Sequence, residues 1–187
     1  MRIRKRLSIP LLIAATLMVY ALIATPPRLV PDPQPTAVET LVPDAYAEGV
    51  SMRSFSETGV LTDRTDAEAL QRFAVPGRVT FTAPRRWAYG PDGDWFAVSR
   101  EGELFEASEI LELQGDVQLR YETESVTFAT EALTINLDKQ IAESDAGVRS
   151  WQASEGNEVR ADRLFTNLDR RVAVLTGNVR SVYVPER

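Results

Sequence analysis

The sequence predicts an all-β fold, and three features carry that prediction. From Asp44 onward apolar and polar residues alternate with a period of two in short segments: "GVSMRSF", "VTFT", "DWFAV", "ILEL", "VQLRY", "VTFAT", "LTINL", "VRSW", "LFTNL", "VAVL" and "VRSVYV". Such alternation belongs to strands with one buried face. The segments are separated by Gly, Asp, Asn or charged residues, which are turn formers. Finally, one pattern recurs. Val117, Val148 and Val179 stand 31 residues apart, Leu133 returns as Leu164, and Asn136-Leu137-Asp138-Lys139 returns as Asn167-Leu168-Asp169-Arg170. A fixed period in this range marks a β unit whose copies stack on one another.

The elements follow in chain order. Arg2, Arg4, Lys5 and Arg6 precede an uncharged run over residues 7–24, long enough to cross a bilayer as a helix. Positive charge holds the tip, residues 1–6, in the cytoplasm and sends the rest outward. Pro10 falls early in the run, where a membrane helix tolerates it best. A cleaved signal peptide is the alternative, with Val19-Tyr20-Ala21 as its small-residue site. Residues 25–43 carry prolines at 26, 27, 31, 33, 35 and 43. That spacing favours polyproline II and makes a semi-rigid spacer. Residues 44–187 form the β domain. Within it "DRTDAEALQRF", residues 63–73, is compatible with a helix and is read as a loop entering a strand.

Composition narrows the function. The chain has no histidine and no cysteine, which removes the usual general base, the commonest zinc ligands and any thiolate nucleophile. No cofactor or metal is expected, and catalysis is disfavoured. Setting aside the four basic residues of the tip leaves 17 Lys and Arg against 27 acids, a formal −10 for the remainder. Nucleic acid, which requires a basic face, is an unsuitable partner. Asp116, Asp138, Asp169 and Asn178 read as turn formers, as do Asp92 and Asp94 in "GPDGDW". A carboxylate-dependent glycan hydrolase is the alternative, and it needs two acids converging on one cleft.

Alternation places an inward set: Val50, Met52, Phe81, Phe96, Val98, Ile110, Leu113, Val117, Leu119, Phe128, Leu133, Ile135, Val148, Leu164, Val172, Val174, Val179 and Tyr183. Two facing sheets enclose it as an apolar slot about 10 Å thick. A stack of repeats ends in open strand edges, which are templates for another strand. The segment "VRSVYVPER" is apolar up to Pro185 and suits such pairing. Arg85, Arg86, Arg160 and Arg163 read as solvated charges on a sheet face, and the tryptophans are either core plugs or rim residues. A tethered β stack with an apolar interior and pairable ends suits a conduit for a hydrophobic molecule. A purely structural adaptor that docks partners by strand pairing is the competing reading.

The sequence also resembles the LptC family, the bitopic inner-membrane component of the lipopolysaccharide export machine. The resemblance is carried by "PDAYAEGVSMRSFSETGVL" (residues 43–61), "FTAP" (81–84), "DGDWFAVSREGEL" (92–104), "ILELQGDVQL" and the closing "VRSVY". It implies a single transmembrane helix followed by an open twisted β-jellyroll of stacked antiparallel strands, like that of OstA and LptA, placed in the periplasm. It further implies that lipopolysaccharide is received from the LptB, LptF and LptG transporter and passed to the periplasmic bridge LptA. ATP hydrolysed by the transporter supplies the energy, and the anchor helix tempers that ATPase. By the same resemblance the lumen contacts fall on Val50, Phe81, Ala173 and Tyr183. The edge facing the transporter is the first strand, with Gly49, Met52 and Phe55, and the edge docking the bridge is the last, with Arg180, Val182 and Val184.

Overall fold

The computed structural model describes residues 42–90, 93–123, 125–152 and 157–182. The expected tip, anchor and most of the spacer lie outside these residues, as do Tyr183 and Val184. No helix among the described residues is long and apolar enough to cross a membrane. Their regular elements are strands: β1 (Ala45–Phe55), β2 (Leu61–Phe73), β3 (Arg78–Thr82), β4 (Arg85–Ala88), β5 (Trp95–Val98), β6 (Glu101–Phe105), β7 (Ile110–Tyr121), β8 (Val126–Asn136), β9 (Ile141–Ser144), β10 (Val148–Gln152), β11 (Glu158–Ala161), β12 (Arg163–Asn167), β13 (Val172–Thr176) and β14 (Arg180–Val182).

All pairings are antiparallel, and the two layers follow from which strands are long. β1, β2, β7 and β8 run 11 to 13 residues, and each of the last three pairs with one short strand near one end and a different short strand near the other. β2 takes β3 along residues 69–73 and β4 along residues 63–66. β7 takes β6 and then β5, and β8 takes β9 and then β10. The first layer therefore runs β1-β2-β3-β6-β7-β8-β9-β12-β13, and the second runs β1-β2-β4-β5-β7-β8-β10-β11-β14.

The layers meet along a corner where each short strand gives way to the next. β7 crosses it through a register shift between Gln114 and Val117, with Gly115 at φ 77° and Asp116 at φ 49°. A Cβ on Gly115 would lie 2.5 Å from Arg100 Nε, so both space and backbone call for glycine there. Amides at the corner keep partners: Ala83 N–H donates to Arg100 O (2.7 Å), Arg100 N–H to Gly115 O (2.9 Å), and Asp162 N–H to Gly177 O (2.9 Å). No ladder group is orphaned by the bend at these points.

The inward faces can be read strand by strand. In the first layer one row is Val79, Leu104, Leu111, Ile135, Ala142, Thr166 and Ala173. In the second it is Thr65, Arg86, Ala97, Leu119, Phe128, Ser150 and Val159. The central members of both rows are buried. The Tyr121 hydroxyl of the second layer bonds Thr166 Oγ1 of the first at 2.7 Å, which pins the layers face to face.

The 31-residue ruler is a rule of turns. Leu137 N–H donates to Glu109 O (2.9 Å), and Leu168 N–H to Gln140 O (2.8 Å). Glu109, Gln140 and Arg171, again 31 apart, all hold left-handed backbone at φ 52–54°. Asn136 Oδ1 accepts from Lys139 N–H at 2.8 Å, and Asn167 Oδ1 accepts from Arg170 N–H at 2.7 Å. The asparagines, and not Asp138 and Asp169, supply the side-chain bond that closes each turn.

Two expectations are corrected. Residues 63–73 are strand throughout, part of the 13-residue β2; cross-strand partners on both sides override a helix-compatible composition. The inward set also shifts. In β5 the buried residues are Trp95 and Ala97, so Phe96 and Val98 are half-buried on the other face. Val172, Val174 and Val179 are exposed, and Val174 pairs with exposed Phe165 on the outer face; Met52 keeps the inward phase, opposite Thr65, though it is partly exposed on an edge strand.

Ile135 is fully buried at the centre of the first row, so Ile135→Ala should lower unfolding free energy by about 2–5 kcal/mol. Urea titration followed by tryptophan fluorescence measures it, and a loss under about 1 kcal/mol would mean that the two layers are not closely packed at that point.

Candidate functional site

The space between the layers is unevenly filled. Through the middle, Leu119, Leu133, Ile135, Val117 and Leu168 are at most 2% exposed. Toward β1 the packing loosens and leaves an apolar cavity of about 50 Å³, lined among others by Met52, Phe81, Ala97, Leu104 and Leu113. Phe81, Val79 and Ala67 form a cluster of their own there, with Val50 packed against it. A second, polar hollow of about 320 Å³ opens where the turns of the two layers face each other, bounded by Thr62, Asp63, Tyr89, Trp95, Gln140 and Leu168.

Arg86 stands between the two, lining both. Its place in β4, opposite Thr65 and Ala97, turns it inward. Its Nη1 lies 3.2 Å from Asp63 Oδ1 and donates to Thr65 Oγ1 at 3.1 Å. Its buried Nε has no hydrogen-bond partner. Burial pushes the guanidinium below its ordinary pKa, and the Asp63 carboxylate works against that shift. Sequence reasoning set Arg86 among solvated charges because Arg85-Arg86 alternates like any sheet-face pair; only the inward phase of β4 separates them. Arg85, Arg160 and Arg163 are exposed as expected. Trp95 is core. Trp87 lies on the outer face against Phe96, with ring centroids 5.0 Å apart.

Of the four expected lumen residues, the structure brings Val50 and Phe81 together at the loosely filled end. Ala173 lies at the far end of the first inner row, opposite buried Thr166 but itself exposed, because among the described residues no strand pairs with β13 beyond β12. Phe81 and Ala173 are therefore separated by six strand steps, roughly 29 Å at 4.8 Å per step. Tyr183 falls outside the described residues.

The layers end on free edges. Among the described residues β1 pairs only with β2, β13 only with β12, and β14 only with β11. Gly49 sits mid-strand in β1 at φ 59°, Met52 is 40% exposed, and Phe55 is 60% exposed beyond a register shift. Arg180 and Val182 of β14 are exposed. Val184 lies outside the described residues.

Two antiparallel layers that share long strands and enclose an apolar interior define an all-β domain. The chain belongs to the LptC-related lipopolysaccharide-assembly family, which matches it over residues 9–184. A part in lipopolysaccharide transport follows from that membership. Comparison with curated proteins gives no match.

Asp63→Asn should destabilise the domain by about 1–3 kcal/mol by stranding the Arg86 charge. Adding Arg86→Met to that variant should restore most of the loss, since it replaces an ion pair by an apolar side chain of similar length. Chemical denaturation of the two variants checks this, and equal stability of the single variant and the parent would show that the pair is solvated.

Proposed function

We propose that this domain is the membrane-tethered periplasmic carrier of the export machine: it takes lipopolysaccharide from the LptB, LptF and LptG transporter and hands it to the LptA bridge. Residues 7–24 hold the chain in the inner membrane, and the β domain stands in the periplasm. The acyl chains travel between the two layers, entering past Val50 and Phe81 and leaving past Ala173 and Tyr183. The first edge, with Gly49, Met52 and Phe55, faces the transporter. The last, with Arg180, Val182 and Val184, receives the bridge by strand addition. The chain itself performs no catalysis, and the energy comes from the transporter.

One observation supports this reading above the others. An inward row of largely apolar residues runs unbroken across the first layer, from the end near β1 that holds the cavity to β13 at the other edge. Shielding each methylene of an acyl chain contributes roughly 0.8 kcal/mol, so partial cover of several chains holds a lipid firmly. A cavity of about 50 Å³ is far below the roughly 150 Å³ that accommodates a benzene ring. Loading therefore requires the layers to part, and the cavity beside the separate Phe81 cluster marks the end at which they do so.

The same tight interior favours a second reading, a structural adaptor whose core stays shut and whose edges alone matter. A photoreactive residue at Phe81 or Ala173 separates the two. The carrier yields a lipopolysaccharide adduct in cells with an active transporter, lost when ATP hydrolysis is blocked. Absence of an adduct from either position, with a photoreactive residue at Val182 still crosslinking to the bridge, identifies the adaptor.

A further inference from the structure

Although the chain is acidic, its outer faces are not alike. The outer face of the first layer gathers Glu101, Glu103, Glu112 and Glu143. The outer face of the second gathers arginines, and three of them fall into one row. Arg149 of β10 is directly opposite Arg160 of β11, and Arg160 is directly opposite Arg180 of β14. All three are exposed. Adjacent strands lie about 4.8 Å apart, and like charges directly opposite one another destabilise a sheet.

Two members of the row are compensated. The Arg149 guanidinium lies 5.0 Å from the centre of the Trp151 ring, over its face. Arg160 Nε donates to Glu158 Oε1. Arg180 forms no ion pair with an acidic side chain among the described residues. It is also the member on the free edge, so the row stops where a further strand would begin.

We infer that the strand that docks on β14 carries an aspartate or glutamate in outward register with Arg180, and that this pair selects the partner and fixes the register. A slip of one residue would carry the acid to the inner face, away from the arginines. A second copy of this chain is a poor occupant. The outward residues of β1 in the second layer are Ser51 and Arg53, and Arg53 already stands opposite Arg64. Head-to-tail stacking would bring another arginine to the row, so the charge pattern disfavours self-assembly and favours a different, acidic strand.

The inference rests on the reading that β14 takes a partner strand, and the test separates the two. Full-length chain in nanodiscs is titrated with purified bridge protein, at low salt and at about 0.5 M salt. Arg180→Glu should weaken binding about tenfold at low salt and less at high salt. Arg180→Lys, which keeps the charge, should stay within about threefold. Charge reversal of one acid on the docking strand of the bridge should restore binding to the Arg180→Glu variant. Equal binding by the parent and Arg180→Glu at both salts overturns the inference and leaves strand docking intact. No binding by the parent overturns both. Loss of binding to phosphatidylglycerol vesicles in Arg180→Glu, with bridge binding unchanged, assigns the row to a membrane surface and overturns the strand pair.

Discussion

The fold depends on long strands turning a corner while their hydrogen-bonded ladders continue on either side. A buried backbone group without a partner costs roughly as much as a lost hydrogen bond, and a corner running past seven or more chain segments risks several. The chain meets this with glycine or left-handed residues at the bend, Ala83, Gly115, Asp116, Gly147, Gly177 and Asn178, and with amide-to-carbonyl bonds that pass from one crossing to the next. Because the corner holds, β2, β7 and β8 belong to both layers. Neither layer can then slide or rotate freely against the other, and the interior has a fixed face on each side.

If the interior carries acyl chains as proposed, that geometry sets stability against passage. Tight filling around Ile135 and Leu119 holds the layers together, yet the same filling leaves no room for a lipid tail. The chain separates the two demands along its length. The middle is packed and bridged by the bond from Tyr121 to Thr166. The end toward β1 carries a smaller cluster around Phe81, a cavity, and a charged pair, Arg86 and Asp63, at its border. An ion pair so placed contributes little net stability.

The edges present a second conflict. Unpaired strands invite any strand, including those of identical copies. Here both edges carry arginine on their outward faces, Arg180 at β14 and Arg53 beside Ser51 at β1. Pairing stays available while self-stacking is discouraged. A net charge of −6 for the whole chain conceals this, since charge acts locally within about 10 Å at moderate salt.

The all-β class, the turns and their 31-residue period were legible in the sequence, because alternation and turn chemistry are local. Asn136 and Asn167 close their turns with their own side chains, and Gly115 answers to the backbone angle at its own position. Alternation alone set Val50 and Phe81 inward, but not that they pack in one cluster, and Tyr183 falls outside what the structure describes. What lay beyond the sequence was the inward phase of individual strands: Arg86 turned into the slot, Phe96 turned out, and Val174 left uncovered at an edge. Residues 63–73 became strand because β1 on one side and β3 and β4 on the other supply partners. A period of two states that alternate residues share a face. Which face meets the other layer, and which strands have no neighbour, is set by pairings between segments far apart in the chain.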